Sequence, residues 1–179
     1  MKKYEFTGET KQVELTTLHR IRAVVEFGLV KVGDVGGWIE KEENLSHKGK
    51  AWVYDDAQVY GNAQVYGNAQ VYGNARVCGN AWVCGNAWVC GNAQVFSARH
   101  VLVIGAIGSR NDFTTFFRDK DNEITVKCGC FLGKIDKFTE KVTSTHGDTK
   151  YALVYRAAAE LAKLQIDLTN NETEMDENG

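Results

Sequence analysis

From Ala51 to Ala98 the hydrophobic and polar positions repeat every six residues: AWVYDD, AQVYGN three times, ARVCGN, AWVCGN twice and AQVFSA. Valine recurs at 53, 59, 65, 71, 77, 83, 89 and 95, and alanine stands two residues before each. A period of six fits neither the 3.6 of an amphipathic helix nor the 2 of a long alternating strand. Within a hexad, Ala-x-Val reads as a short strand with Ala and Val on one side and x on the other. Gly-Asn reads as a corner, because both residues tolerate positive φ. A strand and a corner, repeated eight times in register, predict a solenoid.

The hexads resemble the hexapeptide repeat of left-handed parallel β-helices, in which three hexads close a triangular coil. That resemblance implies a mainly β fold with a left-handed parallel β-helix of about 2.7 coils over residues 51–98. Residues 18 apart then stack, and residues 6 apart lie on different faces. Tyr54, Tyr72 and Cys90 form one outward column; Tyr60, Cys78 and Phe96 form a second; Tyr66 and Cys84 form a third. The other outward positions align Trp52 with Gln70 and Trp88, Gln58 with Arg76 and Gln94, and Gln64 with Trp82. Cys78, Cys84 and Cys90 therefore occupy three faces, too far apart for a disulfide or a shared metal.

Outside the repeat the pattern changes. Residues 1–50 read as an N-terminal β cap: KYEFTG and LHRIRAVVEFG as strands, then turns leading to the first coil, with Trp38 and Leu45 as capping contacts. Residues 99–165 read as an α+β module of three strands (RHVLVIGAIG, FTTFFR, ITVKCGCF) and two helices. The helices are expected at 134–144, with Ile135, Phe138 and Val142 on one face, and at 149–164, capped by Asp148. Residues 166–179 hold five acids and no base, which predicts a disordered acidic tail.

Charge modifies this picture. The whole chain carries 21 Lys and Arg against 23 Asp and Glu, which argues against generic nucleic-acid binding. The module at 99–165 nevertheless has 11 bases against 8 acids, whereas the hexads contain one base, Arg76. No apolar run is long enough to span a membrane, and MKKYEFTGET lacks the apolar stretch of a signal peptide. Five cysteines fit a reducing compartment, and an intracellular location is expected.

Three stretches resemble a group of small proteins from bacteriophages and prophages. They are GDVGGWIEKEENLSHKGKAWVYDDAQVYGNAQV, IGSRNDFTTFFR, and CGCFLGKIDKF with THGDTKYALVY; the resemblance covers residues 3–163. It implies a phage-related protein in the cytoplasm of a bacterial host cell and supplies no catalytic residues.

The residues favour binding over catalysis. Hexapeptide-repeat acyltransferases use a histidine base at the coil edge, but residues 51–98 contain no histidine and no inserted cofactor loop. No catalytic residue, metal or cofactor is assigned. The polar turn Ser109, Arg110, Asn111 and Asp112 can present donors to an anion, with Arg118, Lys127, His146 and Lys150 adding positive charge. Tyr151, one helical turn from Tyr155, offers a stacking surface. The expected function is sequestration of an anionic, nucleotide-type immune signal by a phage counter-defence protein. The alternatives are direct inhibition of a host immune protein and acyl transfer. Outward Trp52, Trp82, Trp88 and the repeat tyrosines predict a homo-oligomer, specifically a trimer.

Overall fold

The computed structural model describes residues 1–169. Strands β4 to β11 are the two-residue segments Trp52–Val53, Gln58–Val59, Gln64–Val65, Gln70–Val71, Arg76–Val77, Trp82–Val83, Trp88–Val89 and Gln94–Val95. They stack in parallel at a spacing of 18 residues: Val53 beside Val71 beside Val89, Val59 beside Val77 beside Val95, Val65 beside Val83. Each rung donates to the next: Trp52 N–H to Ala69 O at 3.0 Å, Gln70 N–H to Ala87 O at 2.8 Å. Every repeat Ala and Val is fully buried. Burial of identical small side chains from three sides is what fixes the register. The protein is a mainly β, β-solenoid protein with an α+β C-terminal end.

The solenoid begins earlier than the hexads suggest. Strand β3 (Val35–Ile39) pairs in parallel below β5, with Ile39 beside Val59, and Leu45 bridges to Val65. Ile39 and Leu45 take valine positions in an additional coil, so they are rungs of the wall and not merely caps. Asn44 fills the adjoining 3-10 turn with no exposed surface; its Nδ2 donates to the carbonyls of Gly61 (3.1 Å) and Ala63 (2.9 Å). Below this coil, β1 (Tyr4–Val13) and β2 (Thr16–Ala23) form an antiparallel hairpin that joins β3.

The hairpin and its following loop cover parts of the prism that the sequence places outside. Trp52 points away from the prism axis yet is 1% exposed, because the rings of Tyr4 and Phe27 pack on it at 6.1 and 5.3 Å. Leu18 of β2 covers Tyr60 and Cys78 in the same way. Trp82 and Tyr66 stay exposed. The expectation of an open aromatic exterior is therefore corrected for Trp52 and Tyr60. All five cysteines are free thiols.

The C-terminal sheet has four antiparallel strands, not three: β12 (Val101–Ile107), β13 (Asp112–Arg118), β14 (Ile124–Cys128) and β15 (Phe131–Lys134). Gly129, at φ 55°, turns the chain between Cys128 and Phe131, so the cysteine pair brackets a hairpin turn and does not lie on one strand. Helices α1 (Ile135–His146) and α2 (Lys150–Gln165) pack on one side of this sheet. Alternation along β13 divides the work: Phe116 joins the helix core and Phe117 the solenoid core. Thr149, not Asp148, stands at the N-cap of α2, and Asp148 faces Arg156 at 3.7 Å. Ile166, expected in the acidic tail, is buried, and Asp167 N–H donates to Arg99 O at 3.1 Å. Residues 170–179 of that expected tail lie outside the described residues.

Candidate ligand-binding clefts

A solenoid leaves unpaired backbone groups on its last coil. Here β13 and the residues just after it satisfy several of them. Trp88 N–H, which no further coil can engage, donates to Thr115 Oγ1 at 3.0 Å. Asp119 forms an antiparallel bridge with Ala93, and Lys120 N–H donates to Asn92 O at 3.0 Å. In this docking Thr115 and its cross-strand neighbour Lys127 meet the top of the face formed by β4, β7 and β10. Lys127 Nζ sits 5.2 Å from the centre of the Trp88 ring system and donates to Gly129 O.

Two clefts meet at Trp88 and Asn86. The upper cleft, about 460 Å³, lies between solenoid and sheet and is lined further by Asp112, Phe113, Thr115, Lys127 and Gly129. The lower, about 370 Å³, runs down the solenoid corner past Asn68 and Gln70 to Gly28, Leu29 and Lys50. Asn68 Nδ2 donates to Asn86 Oδ1 at 3.1 Å, so the corner presents an ordered amide edge. The Trp88 indole is 42% exposed between the clefts. Tyr72 and Trp88 form a T-shaped pair with ring centroids 6.4 Å apart. The surface thus combines an aromatic plate, amides and cations: Lys127 above, Lys50 below. The Arg110 guanidinium adds a third, because it lies over Gly129, where any side chain would collide with it. Asp112 contributes one carboxylate, bound to Phe113 N–H at 2.7 Å.

The structure separates the residues grouped by the sequence. Asp112 and Lys127 line the upper cleft, and Arg110 lies beside it over Gly129. Asn111 holds the turn with φ 49°. Ser109 does not line the cleft; burial raises the phenol of the nearby Tyr155 above its ordinary pKa. His146 stacks on Tyr155 at 5.8 Å and lies 6.1 Å from Tyr151, so these rings form a helix-side cluster, with Lys150 exposed at the start of α2. Tyr155 is core and offers no stacking face to a base. Arg118 is 4% exposed at the far end of β13, stacked 5.2 Å over Phe96 and bonded to Asn122. A single site is therefore corrected: of the residues grouped with Ser109–Asp112 by the sequence, Asp112 and Lys127 line the upper cleft and Arg110 lies beside it, while Arg118, His146, Lys150 and Tyr151 lie elsewhere. Trp88, Asn86, Lys50 and Leu29 escape a search for polar clusters in one segment. The available signal was Trp88, an exposed aromatic on the last rung of its column.

Elsewhere, Asp119, Asp121 and Glu123 converge, and Lys134 Nζ lies 2.6, 3.3 and 2.5 Å from their carboxylates. Burial pushes the Asp119 carboxyl up, but bonds from Lys134, Thr125 and two backbone N–H groups outweigh it and hold the group below its ordinary value. The ammonium bonds all three carboxylates, which makes this cluster an ion-pair network at the surface anchored on the buried Asp119.

A family described as the YdcK Beta solenoid repeat matches residues 69–85. The chain is 38% identical over 52 residues to a protein of Escherichia coli (strain K12) named "Uncharacterized acetyltransferase YdcK". The aligned stretch is 29% of this chain and 15% of that protein's length. The similarity agrees with the stacked hexads.

Proposed function

We propose that this protein is a non-enzymatic binding protein that holds a small anionic ligand with a flat ring, of nucleotide type, against Trp88. The observation that carries the reading is the exposed indole between two clefts, with Lys127 over it and Lys50 at the lower end. Clefts of this size suit a small molecule. A base stacks on an aromatic plate regardless of its identity, and Lys and Arg engage phosphate. The resemblance to phage and prophage proteins supports a counter-defence role, in which the chain withdraws a nucleotide-type immune signal inside an infected bacterium. Withdrawal requires binding without turnover.

Acyl transfer is the second reading, favoured by the name of the Escherichia coli protein. The histidines do not serve it. His47 Nδ1 accepts from Lys3 N–H at 3.1 Å, His100 Nδ1 accepts from Phe96 N–H at 3.0 Å, and His19 stacks on Phe6. His146 stacks on Tyr155, and no histidine lines either cleft among the described residues.

The test is a thermal-shift and calorimetric screen against nucleotides and acetyl-CoA, with the ligand assayed afterwards for turnover. A ligand at 100 times its dissociation constant adds about 2.7 kcal/mol, or roughly 5–10 °C for a chain of this size. Trp88→Leu is expected to abolish the shift and Lys127→Gln to weaken binding about tenfold or more, as loss of one charged contact does. Arg110→Ala should weaken it without moving the unliganded melting temperature. A panel without any shift, or a shift unchanged in Trp88→Leu, sinks the cleft assignment. Transfer of the acetyl group establishes the enzyme instead.

A further inference from the structure

Helix α2 carries two apolar faces. One is buried on the sheet and α1 through Ala152, Tyr155, Ala159 and Ala162. On the opposite side Leu153, Leu161 and Leu164 are 58%, 49% and 86% exposed, and Ala157 is exposed between them. Spacings of four, four and three residues put these four side chains on one stripe. Three leucines in line on an exposed helix face form a patch that folding of the single chain leaves unused.

We propose that the C-terminal part of this stripe, Ala157, Leu161 and Leu164, is the contact between two copies of the chain, their α2 helices running antiparallel across a two-fold axis at Leu161. Charge complementarity selects this occupant. Arg156, Glu160 and Lys163 line one flank of the stripe, and the other flank holds Val154 and Gln165. In a two-fold antiparallel pair, the same flank of each helix meets, and any contact made by one copy is repeated by the other. With Leu161 facing its own equivalent, Leu164 of one copy falls within one residue of the position opposite Ala157 of the second. In the same register Glu160 of one copy falls within one residue of the position opposite Lys163 of the second, and the reciprocal pair forms by symmetry. The apolar register and the charge register agree to within a residue. Within one chain Lys163 Nζ already lies 3.1 Å from Glu160, so pairing would turn two isolated bridges into a four-charge network.

A lipid surface fits less well. Helices that lie on anionic membranes carry a surplus of Lys and Arg along the polar face. Here α2 carries Lys150, Arg156 and Lys163 against Glu160, but the acid stands between the two bases of the flank, and Arg156 is turned inward, donating to Gly147 O at 3.0 Å and Thr143 Oγ1 at 3.2 Å.

The experiment is light scattering of the full chain from low micromolar to high micromolar concentration, with thermal melting recorded in parallel. Wild type is expected to reach twice the 19.9 kDa chain mass. Leu161→Glu and Leu164→Glu should stay at the single-chain mass with an unchanged melt at low concentration, because both side chains are exposed. Glu160→Lys alone and Lys163→Glu alone should weaken the dimer, and the two together should restore it, a recovery that a merely sticky surface does not give. A monomer at every concentration overturns the proposal, as does a dimer or trimer indifferent to Leu161→Glu. So does a monomeric wild type that floats with anionic vesicles and loses this in Leu161→Glu.

Discussion

Lys3 is 2% exposed, its ammonium 2.7 Å from Ala51 O and 4.6 Å from the centre of the Phe27 ring. Neither partner carries a full negative charge, so burial pushes its pKa down to about 8. The unfolded chain holds that proton up to its ordinary value near 10.5. Folding therefore works against the charge at neutral pH, at a cost of roughly 2 kcal/mol after allowing for solvent screening. The cost is relieved as pH rises from about 8 toward 10.5, where the unfolded state binds the extra proton. Lys3→Met should melt at or above wild type at pH 7, and its advantage should shrink steadily as pH approaches 10. A gap between the two melting curves that is flat with pH would show that Lys3 is solvated. The residue was invisible as anything but a surface lysine in the sequence, because its burial depends on Ala51 and Phe27, which no local pattern connects to it.

At the scale of the rung and the corner, the hexad governs both stability and legibility. Each Gly of the corners sits at positive φ, and Gly67, at φ 71°, would bring an added Cβ within 3.1 Å of Gly85 N one coil above. Gly91, at φ 64°, has nothing within 4 Å. Both lose about 1–2 kcal/mol on substitution by Ala from the left-handed backbone, but only Gly67 adds a clash with the next coil. Gly67→Ala should therefore unfold at lower denaturant than Gly91→Ala; equal midpoints would mean that the stacked corner yields freely. This part of the fold was readable because valine every sixth residue has no other structural solution. The additional coil was not: Ile39 and Leu45 keep the six-residue step, but Val53 follows Leu45 after eight, and Glu43 stands where alanine is expected. The fourth strand of the C-terminal sheet was missed because Gly129 inside CGC reads equally as strand interior or turn. The clefts were half legible. Arg110 and Asp112 lie in one polar segment, whereas Trp88, Lys127 and Lys50 come together only when three distant segments dock.

For the whole molecule, the solenoid is a spacer that sets the azimuth and the height of the C-terminal sheet above the N-terminal loop. Thr115 and Lys127 reach Trp88 because β10 and β13 end on the same side of the prism. One more hexad before Arg76 would turn everything after it by a third of a revolution and set Lys127 against a different column. Three more would return it to the same direction, about 4.8 Å higher. A variant with one extra AQVYGN should thus lose ligand binding and stability together. A variant with three should fold and keep the upper cleft, while Lys50 drops out of reach of a ligand seated under Lys127. Comparable folding of both, judged by melting and by Trp88 fluorescence, would show that the caps do not read angular position. The near-identical hexads from Ala57 to Asn74 are the kind of tract in which a copying slip adds or removes whole units. If the caps read angular position, heritable changes in length survive only in multiples of three, so the distance between the two cations is inherited in discrete steps and, under the proposed binding role, the size of acceptable ligand changes by jumps.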